Sequence, residues 1–334
     1  MYLLPCASSA EHDERVERVP SPLDRRRIVL TSPSAAPHAT ESMNRNAVVP
    51  PVMAEGRRTG SERVRGADPD VPVVIVKLGG SVITRKREVE KLRPKVLARL
   101  AREVAEVRDR RIVLLHGAGS FGHPGAKQFG LARPPNEGIR AKERRRGAAI
   151  VAAEVRRLHL AVVRELVRAG ASPASVPMAT HARNRAGELV ELDPAPVKAA
   201  LEAGFLPVSF GDVVPDEAWG SSILSADTIA VALVPALGAE RVVFVSDVEG
   251  ILEGPPGRKR SAVREVTEET VAALRPAAGA ADVTGGIRGK ATAMLAIASA
   301  GADAGLISGL ADGALSRAIR GNREYGSWAR ARSS

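Results

Sequence analysis

Residues 71–77 read Val-Pro-Val-Val-Ile-Val-Lys and run directly into Leu78-Gly79-Gly80-Ser81. A run this apolar has no face to offer water. It predicts a strand buried on both sides, as in parallel sheets covered by helices. Residues 112–115, Leu206–Phe210 and residues 241–247 (Arg-Val-Val-Phe-Val-Ser-Asp) have the same character. Between them the period becomes helical. Val96, Leu97, Leu100, Val104 and Val107 are spaced for one face of a helix over residues 94–107. Residues 140–169 read as a long helix, basic at its start and apolar later, and Ala226–Leu237 as another. The Ala-rich residues 289–301 predict a further helix and residues 305–308 a closing strand. This alternation predicts an α/β fold with a mainly parallel sheet covered on both faces.

Composition narrows the function classes. Aromatic residues make up only 3% of the 334, so the core must be built from Ala, Val, Leu and Ile. No apolar run approaches the ~20 residues that span a bilayer, which argues against a membrane protein. A single cysteine excludes an internal disulfide and fits a reducing cytoplasm. The net charge of +11 suggests nucleic acid, but the excess lies in the N-terminal arm, in residues 140–146 and near the C-terminus. No aromatic residues are interleaved there, so bases lack a stacking platform, and no nucleic-acid partner is expected. Residues 1–70 are rich in Pro, Arg, Ser, Glu and Ala without apolar period, and are expected to be a disordered arm. The folded part is expected over residues 71–334.

Ligands of open α/β sheets collect at the carboxyl ends of strands, and four glycine-rich segments stand there. In Lys77-Leu78-Gly79-Gly80-Ser81, glycines let backbone N–H groups approach a phosphate, and Lys77 can bridge two phosphoryl groups. The competing reading is a tight turn with a solvated lysine. The second segment is His116-Gly117-Ala118-Gly119-Ser120-Phe121-Gly122-His123. Its G-x-G-x-x-G spelling raises a dinucleotide site, but Pro124 and Pro134-Pro135 intervene and no second strand ends in an acid. An anion-binding loop with His123 at its end fits better, with His116 read as a packed strand-end residue. The third is Phe210-Gly211-Asp212-Val213-Val214, followed by Ser225-Ala226-Asp227-Thr228. Here Ser225 or Asp227 caps a helix, or the acid holds two lysines in register; spacing leaves both open. The fourth, Asp282-Val283-Thr284-Gly285-Gly286-Ile287-Arg288-Gly289-Lys290, departs from a P-loop at Thr284 and Ala291 and has no buried strand before it. It remains a glycine-rich turn that delivers Lys290 to a helix start.

In this order, these segments resemble the amino acid kinase family over about residues 73–319, and within it the isopentenyl phosphate kinases most. Lys77-Leu-Gly-Gly-Ser-Val-Ile-Thr-Arg-Lys86, His116-Gly-Ala-Gly-Ser-Phe-Gly-His-Pro124, Gly211-Asp-Val-Val214 and Asp282-Val-Thr-Gly-Gly286 carry the likeness. The resemblance implies a three-layer αβα sandwich, with a substrate-binding part over about residues 71–205 and a nucleotide-binding part over about 206–325. It implies ATP-dependent phosphorylation of isopentenyl phosphate to isopentenyl diphosphate. A fosfomycin-type phosphonate kinase and a catalytically idle regulatory member are the alternatives.

By the same resemblance, Lys77 contacts the transferring phosphoryl group and Lys290 the ATP phosphates. Asp227 organises the two lysines, Lys86 assists near the γ-phosphate and His123 grips the substrate's phosphate. Gly117, Ala118 and Gly211 line the substrate side. Leu78, Gly79, Gly80, Ser81, Gly119, Asp247 and Gly286 line the nucleotide side. Mg²⁺ is expected on ATP oxygens and water, with no protein ligand assigned, and a homodimer is the family's usual assembly. Residues 147–153, Gly-Ala-Ala-Ile-Val-Ala-Ala, either lie along a prenyl tail or pack as ordinary helix. Two departures stand out. Glu249 replaces a frequent Asp, and residues 321–328 lack the family's final Gly-Thr-x-Ile strand, leaving the last stretch of sheet open.

Overall fold

The computed structural model describes residues 68–85, 88–135, 138–253, 261–274 and 286–331. The proposed N-terminal arm up to residue 67, Lys86 and residues 282–285 lie outside the described residues.

The first strand, β1 (Val73–Leu78), is buried along its whole length. Because alternate side chains point to opposite faces, one strand feeds two cores. Ile75 packs in one cluster, and Val74, Val76 and Leu78 in the other. A short turn of helix, α1 (Gly80–Ile83), and an amphipathic helix, α2 (Pro94–Ala105), follow. Leu97, Leu100 and Val104 press that helix onto the second cluster. Next come β2 (Arg111–His116), α3 (Gly119–Gln128) and the long α4 (Ala141–Arg168). Helix α4 lays Leu158, Val162 and Leu166 on the same face as α2.

A short strand, β3 (Pro173–Ser175), is followed by β4 (Ala182–Arg185), β5 (Glu188–Leu192) and α5 (Ala195–Glu202). Then come β6 (Leu206–Phe210), β7 (Asp212–Asp216) and β8 (Gly220–Leu224). Gly211 alone separates β6 from β7, so this glycine-containing segment is a change of sheet. Strands β4, β5, β7 and β8 form a second sheet in the order β5-β4-β7-β8. Asp216 binds its corner by accepting N–H groups from Ala186, Gly187, Ala218 and Trp219 and the Ser222 hydroxyl.

The chain continues through α6 (Ala226–Leu237), β9 (Arg241–Ser246), the small hairpin of β10 (Leu252–Glu253) and β11 (Ser261–Ala262), and α7 (Glu268–Ala273). It closes with α8 (Gly286–Ser299), β12 (Asp303–Ser308), α9 (Ala314–Ile319) and β13 (Ser327–Ala329). The main sheet runs β13-β12-β9-β1-β2-β6-β3. Its neighbours are parallel except for β13 on β12. Helices α5, α6 and α8 cover one face, and α2, α4 and α9 the other, which gives the expected αβα layering.

The last stretch of sheet is filled after all. Trp328 pairs with Gly305, whose missing side chain makes room for the indole: a Cβ there would stand 2.5 Å from the ring.

Candidate active site

A cavity of about 550 Å³ opens at the carboxyl ends of β1, β2, β6 and β9. Lys77 reaches it from the end of β1, with its side chain only 7% exposed against 9% for Asp227. Asp227 is the second residue of α6, and its carboxylate pairs with Lys77 through Oδ1 and with Lys290 through Oδ2, the latter at 3.2 Å. Burial pushes the Asp227 carboxyl up. The charges and hydrogen bonds of Lys77 and Lys290 outweigh that and hold it below the ordinary 3.8. The cap of α6 is Ser225, whose Oγ accepts the Thr228 N–H at 3.0 Å. The two roles left open by the spacing thus fall to different residues, the cap to Ser225 and the lysine contacts to Asp227.

The first two glycine segments meet back to back. Gly79 donates its N–H to the Val245 carbonyl at 2.7 Å, and Gly117 donates to that of Leu78 at 2.9 Å. A Cβ on Gly80 would stand 2.3 Å from the Gly119 nitrogen, so only glycine permits this approach. Thr84 joins the loops: its Oγ1 donates to the Gly80 carbonyl at 2.7 Å and accepts the Ser120 N–H at 3.0 Å. That role was not read from the sequence, where Thr84 is one more residue after the glycines. Ser81 Oγ donates to Asp247 Oδ1 at 2.7 Å, tying the end of β1 to the end of β9. Leu78 contributes its carbonyl only; strand alternation turns its side chain into the core, away from the face of Lys77.

His123 lines the cavity half-buried, but on a helix rather than at a loop end. Pro124 does not break α3, contrary to the expectation drawn from it. The carbonyl that its missing N–H would have met, that of Ser120, accepts the Glu90 N–H at 3.1 Å instead. Gly122 and Gly125 give α3 a flat face against α4. A Cβ at these positions would stand 2.8 Å from Val155 and 2.7 Å from Val151. The three-residue spacing of Gly119, Gly122 and Gly125 was the available sign of this close helix packing.

Val151 and Val155, with Ala126, Ile223 and Leu224, make an apolar wall of the cavity. Of residues 147–153 only Val151 lines the cavity. Gly147 lies under the Phe129 ring and Ala148 is buried in the cluster behind it. Gly117, Ala118, Gly119, Gly211, Asp247 and Gly286 all line the cavity. Asp212 also lines it, held by the two terminal guanidinium nitrogens of Arg156 at 3.0 and 3.1 Å. Burial raises the Asp212 carboxyl, partly countered by Arg156. His116 is packed at the end of β2 as expected.

A pair of cations held on one acid beside glycine-lined strand ends, on this αβα frame, is the architecture of a phosphotransferase site. The Amino acid kinase family pattern matches residues 72–307, and the chain belongs to that family. Within it, the chain is 31% identical to the isopentenyl phosphate kinase of Methanothermobacter thermautotrophicus over 262 residues, covering 76% of this chain and 97% of that one. It is 32% identical to the isopentenyl phosphate kinase of Thermoplasma acidophilum over 230 residues, covering 68% and 87%. Among solved structures, one described as "X-ray structures of isopentenyl phosphate kinase" superposes with a TM-score of 0.66 at 29% identity, covering 77% of this chain and 99% of that one.

Proposed function

We propose that this chain moves the γ-phosphate of ATP onto isopentenyl phosphate, yielding isopentenyl diphosphate and ADP. The observation that carries the reading is the lining of one cavity. Lys77 and Lys290 share Asp227 there, His123 lines the same cavity, and an apolar face fits a short prenyl tail. Relatives that carry the same activity in their names support it.

Phosphoryl transfer needs positioning and charge neutralisation more than covalent help. The difficulty is that two anions must meet. Lys77 is assigned to the transferring group, Lys290 to the ATP phosphates and His123 to the acceptor's phosphate, with Lys86 assisting. Gly117, Ala118 and Gly211 offer backbone to the acceptor, and Gly79, Gly80, Ser81, Gly119, Asp247 and Gly286 face the nucleotide. The acceptor oxygen is already anionic, so no carboxylate base is required. Its bond to the γ-phosphorus forms as the β,γ-bridging oxygen takes the electron pair and leaves with ADP.

Among the described residues there is no cluster of three or more His, Cys, Asp or Glu able to cage a metal, and Asp227 is committed to two lysines. These residues fit a magnesium ion carried on ATP oxygens, where it would neutralise phosphate charge. We assign residues 71–205 chiefly to the substrate side and 206–325 chiefly to the nucleotide side, with Gly211, at the end of β6 beside β2 in the sheet, reaching the substrate side. A homodimer and a cytoplasmic location complete the reading; among the described residues no helix is long and apolar enough to cross a membrane.

The test is ADP release with isopentenyl phosphate, dimethylallyl phosphate, fosfomycin or no acceptor. Turnover with isopentenyl phosphate is expected. Turnover with fosfomycin alone would replace the reading with a phosphonate kinase, and no turnover with any acceptor would make the chain an idle member of the family.

A further inference from the structure

Beside the cavity lies a pair of buried imidazoles that phosphotransfer, as described above, does not use. His116, the last residue of β2, is fully buried, and His159 on α4 nearly so. His116 Nδ1 lies 3.2 Å from the Gly117 carbonyl oxygen, and His116 Nε2 lies 3.1 Å from His159 Nδ1. His159 Nε2 lies 2.6 Å from Ser175 Oγ.

A carbonyl only accepts, and that sets every proton along the row. His116 donates from Nδ1 to Gly117, so its Nε2 accepts from the Nδ1–H of His159. His159 Nε2 in turn accepts the Ser175 hydroxyl. Phe210 lies against both rings, with centroids 5.3 Å from His116 and 4.4 Å from His159. Burial pushes His116 down to about 3, with His159 and Lys77 adding to the fall. It pushes His159 down to about 4, with Arg156 adding. Both rings are therefore neutral near pH 7, and the order of donors stands.

The Gly117 carbonyl belongs to the same peptide as the Ala118 N–H, and in a trans peptide the two point in opposite directions. Holding the carbonyl toward His116 turns the Ala118 N–H away from the imidazoles. Gly117 and Ala118 both line the cavity, and among the described residues no group accepts from the Ala118 nitrogen. A glycine at 117 is conformationally soft and needs such a tether.

We propose that the row Ser175, His159, His116 is a positioning device that fixes the Gly117–Ala118 peptide and aims the Ala118 N–H at the phosphate of the acceptor. His116 acts through Gly117 and touches no reactant. The identity of the anion rests on the phosphotransfer reading above.

Two variants separate positioning from packing. His116→Asn places an amide nitrogen close to where Nδ1 stands and keeps the bond to Gly117, whereas His116→Phe keeps a ring and loses the donor. Both leave His159 Nδ1–H unpaired, so their loss of stability is shared, and their difference reads the Gly117 bond. With Phe we expect the KM for isopentenyl phosphate to rise about tenfold, the effect of losing roughly one hydrogen bond to a charged group. The KM for ATP should stay within about twofold, and Asn should restore most of the acceptor KM. Equal KM values in the two variants, whether raised or not, overturn the proposal. Should His116→Phe fail to fold, ¹⁵N NMR of the full wild-type chain decides. Protons on Nδ1 of both His116 and His159 support the row, and a proton on Nε2 of His116 refutes it. Wild-type protein inactive on isopentenyl phosphate would sink the functional reading instead, while the tautomers still report on the row by themselves.

Discussion

Asp227→Asn isolates the electrostatics of the site, because it keeps shape and volume while removing the negative charge that both ammonium groups pair with. At the 3.2 Å separation from Lys290, an effective dielectric of about 20 gives roughly 5 kcal/mol of attraction. Desolvation of the ions offsets part of that, but removing one member leaves its partners buried and uncompensated, which typically costs about 3–5 kcal/mol. We expect unfolding of the variant in urea to show a loss of about 3 kcal/mol without ligand. Saturating ATP should narrow the gap, since triphosphate oxygens then supply the missing negative charge. The lysines, no longer held in register, should lower kcat about 10²- to 10³-fold, as expected for displaced charge stabilisers. The acid limb follows from the same contacts. Asp227 is held below its ordinary value of 3.8, so its contribution is fully present above that value and is lost as the pH falls through the lowered one. The wild type should therefore lose stability below about pH 4 more steeply than the variant. A variant with the wild-type urea midpoint and wild-type kcat would refute this account of Asp227.

Other expectations follow from single contacts. His123→Ala should raise the acceptor KM or lower kcat about 10- to 100-fold, with ATP binding retained in calorimetry; unchanged kinetics would remove His123 from the site. Gly80→Ala would drive a Cβ to 2.3 Å from the Gly119 backbone, so activity should collapse while circular dichroism stays near native; an active variant would show that the loops can part freely. Val155→Phe should fill the apolar wall and lower kcat/KM for isopentenyl phosphate at least about tenfold with little change in the KM for ATP; an unaltered acceptor preference would put the tail elsewhere. Trp328→Ala should cost about 3–5 kcal/mol in chemical denaturation, because it uncovers Gly305 and empties a buried indole site. A loss under about 1 kcal/mol would mean that β13 contributes little to the sheet.

Most of the main sheet was legible. Strands β1, β2, β6, β9 and β12 announce themselves because burial on both faces forces local apolar runs, and α2, α4 and α6 because their periods are local too. The second sheet was not legible. Arg183, Glu188 and Glu191 sit on largely exposed edges whose pairing comes from cross-strand charges and from Asp216, which gathers donors from two turns. Helix α3 was masked by glycines and by Pro124, whose cost is met by the distant Glu90 N–H.

The sequence by itself determined the layering and the placing of Lys77 and of the first three glycine segments at strand ends, since hydrophobic period and glycine's backbone freedom act over neighbouring residues. Only the tertiary structure decided that Ser225 takes the helix cap while Asp227 takes the lysines, and that Thr84 ties the first two glycine segments together. The contacts of Asp227 with Lys77 and Lys290 and of Thr84 with Ser120 join groups separated by tens of residues or more, and no local pattern encodes which of them will meet.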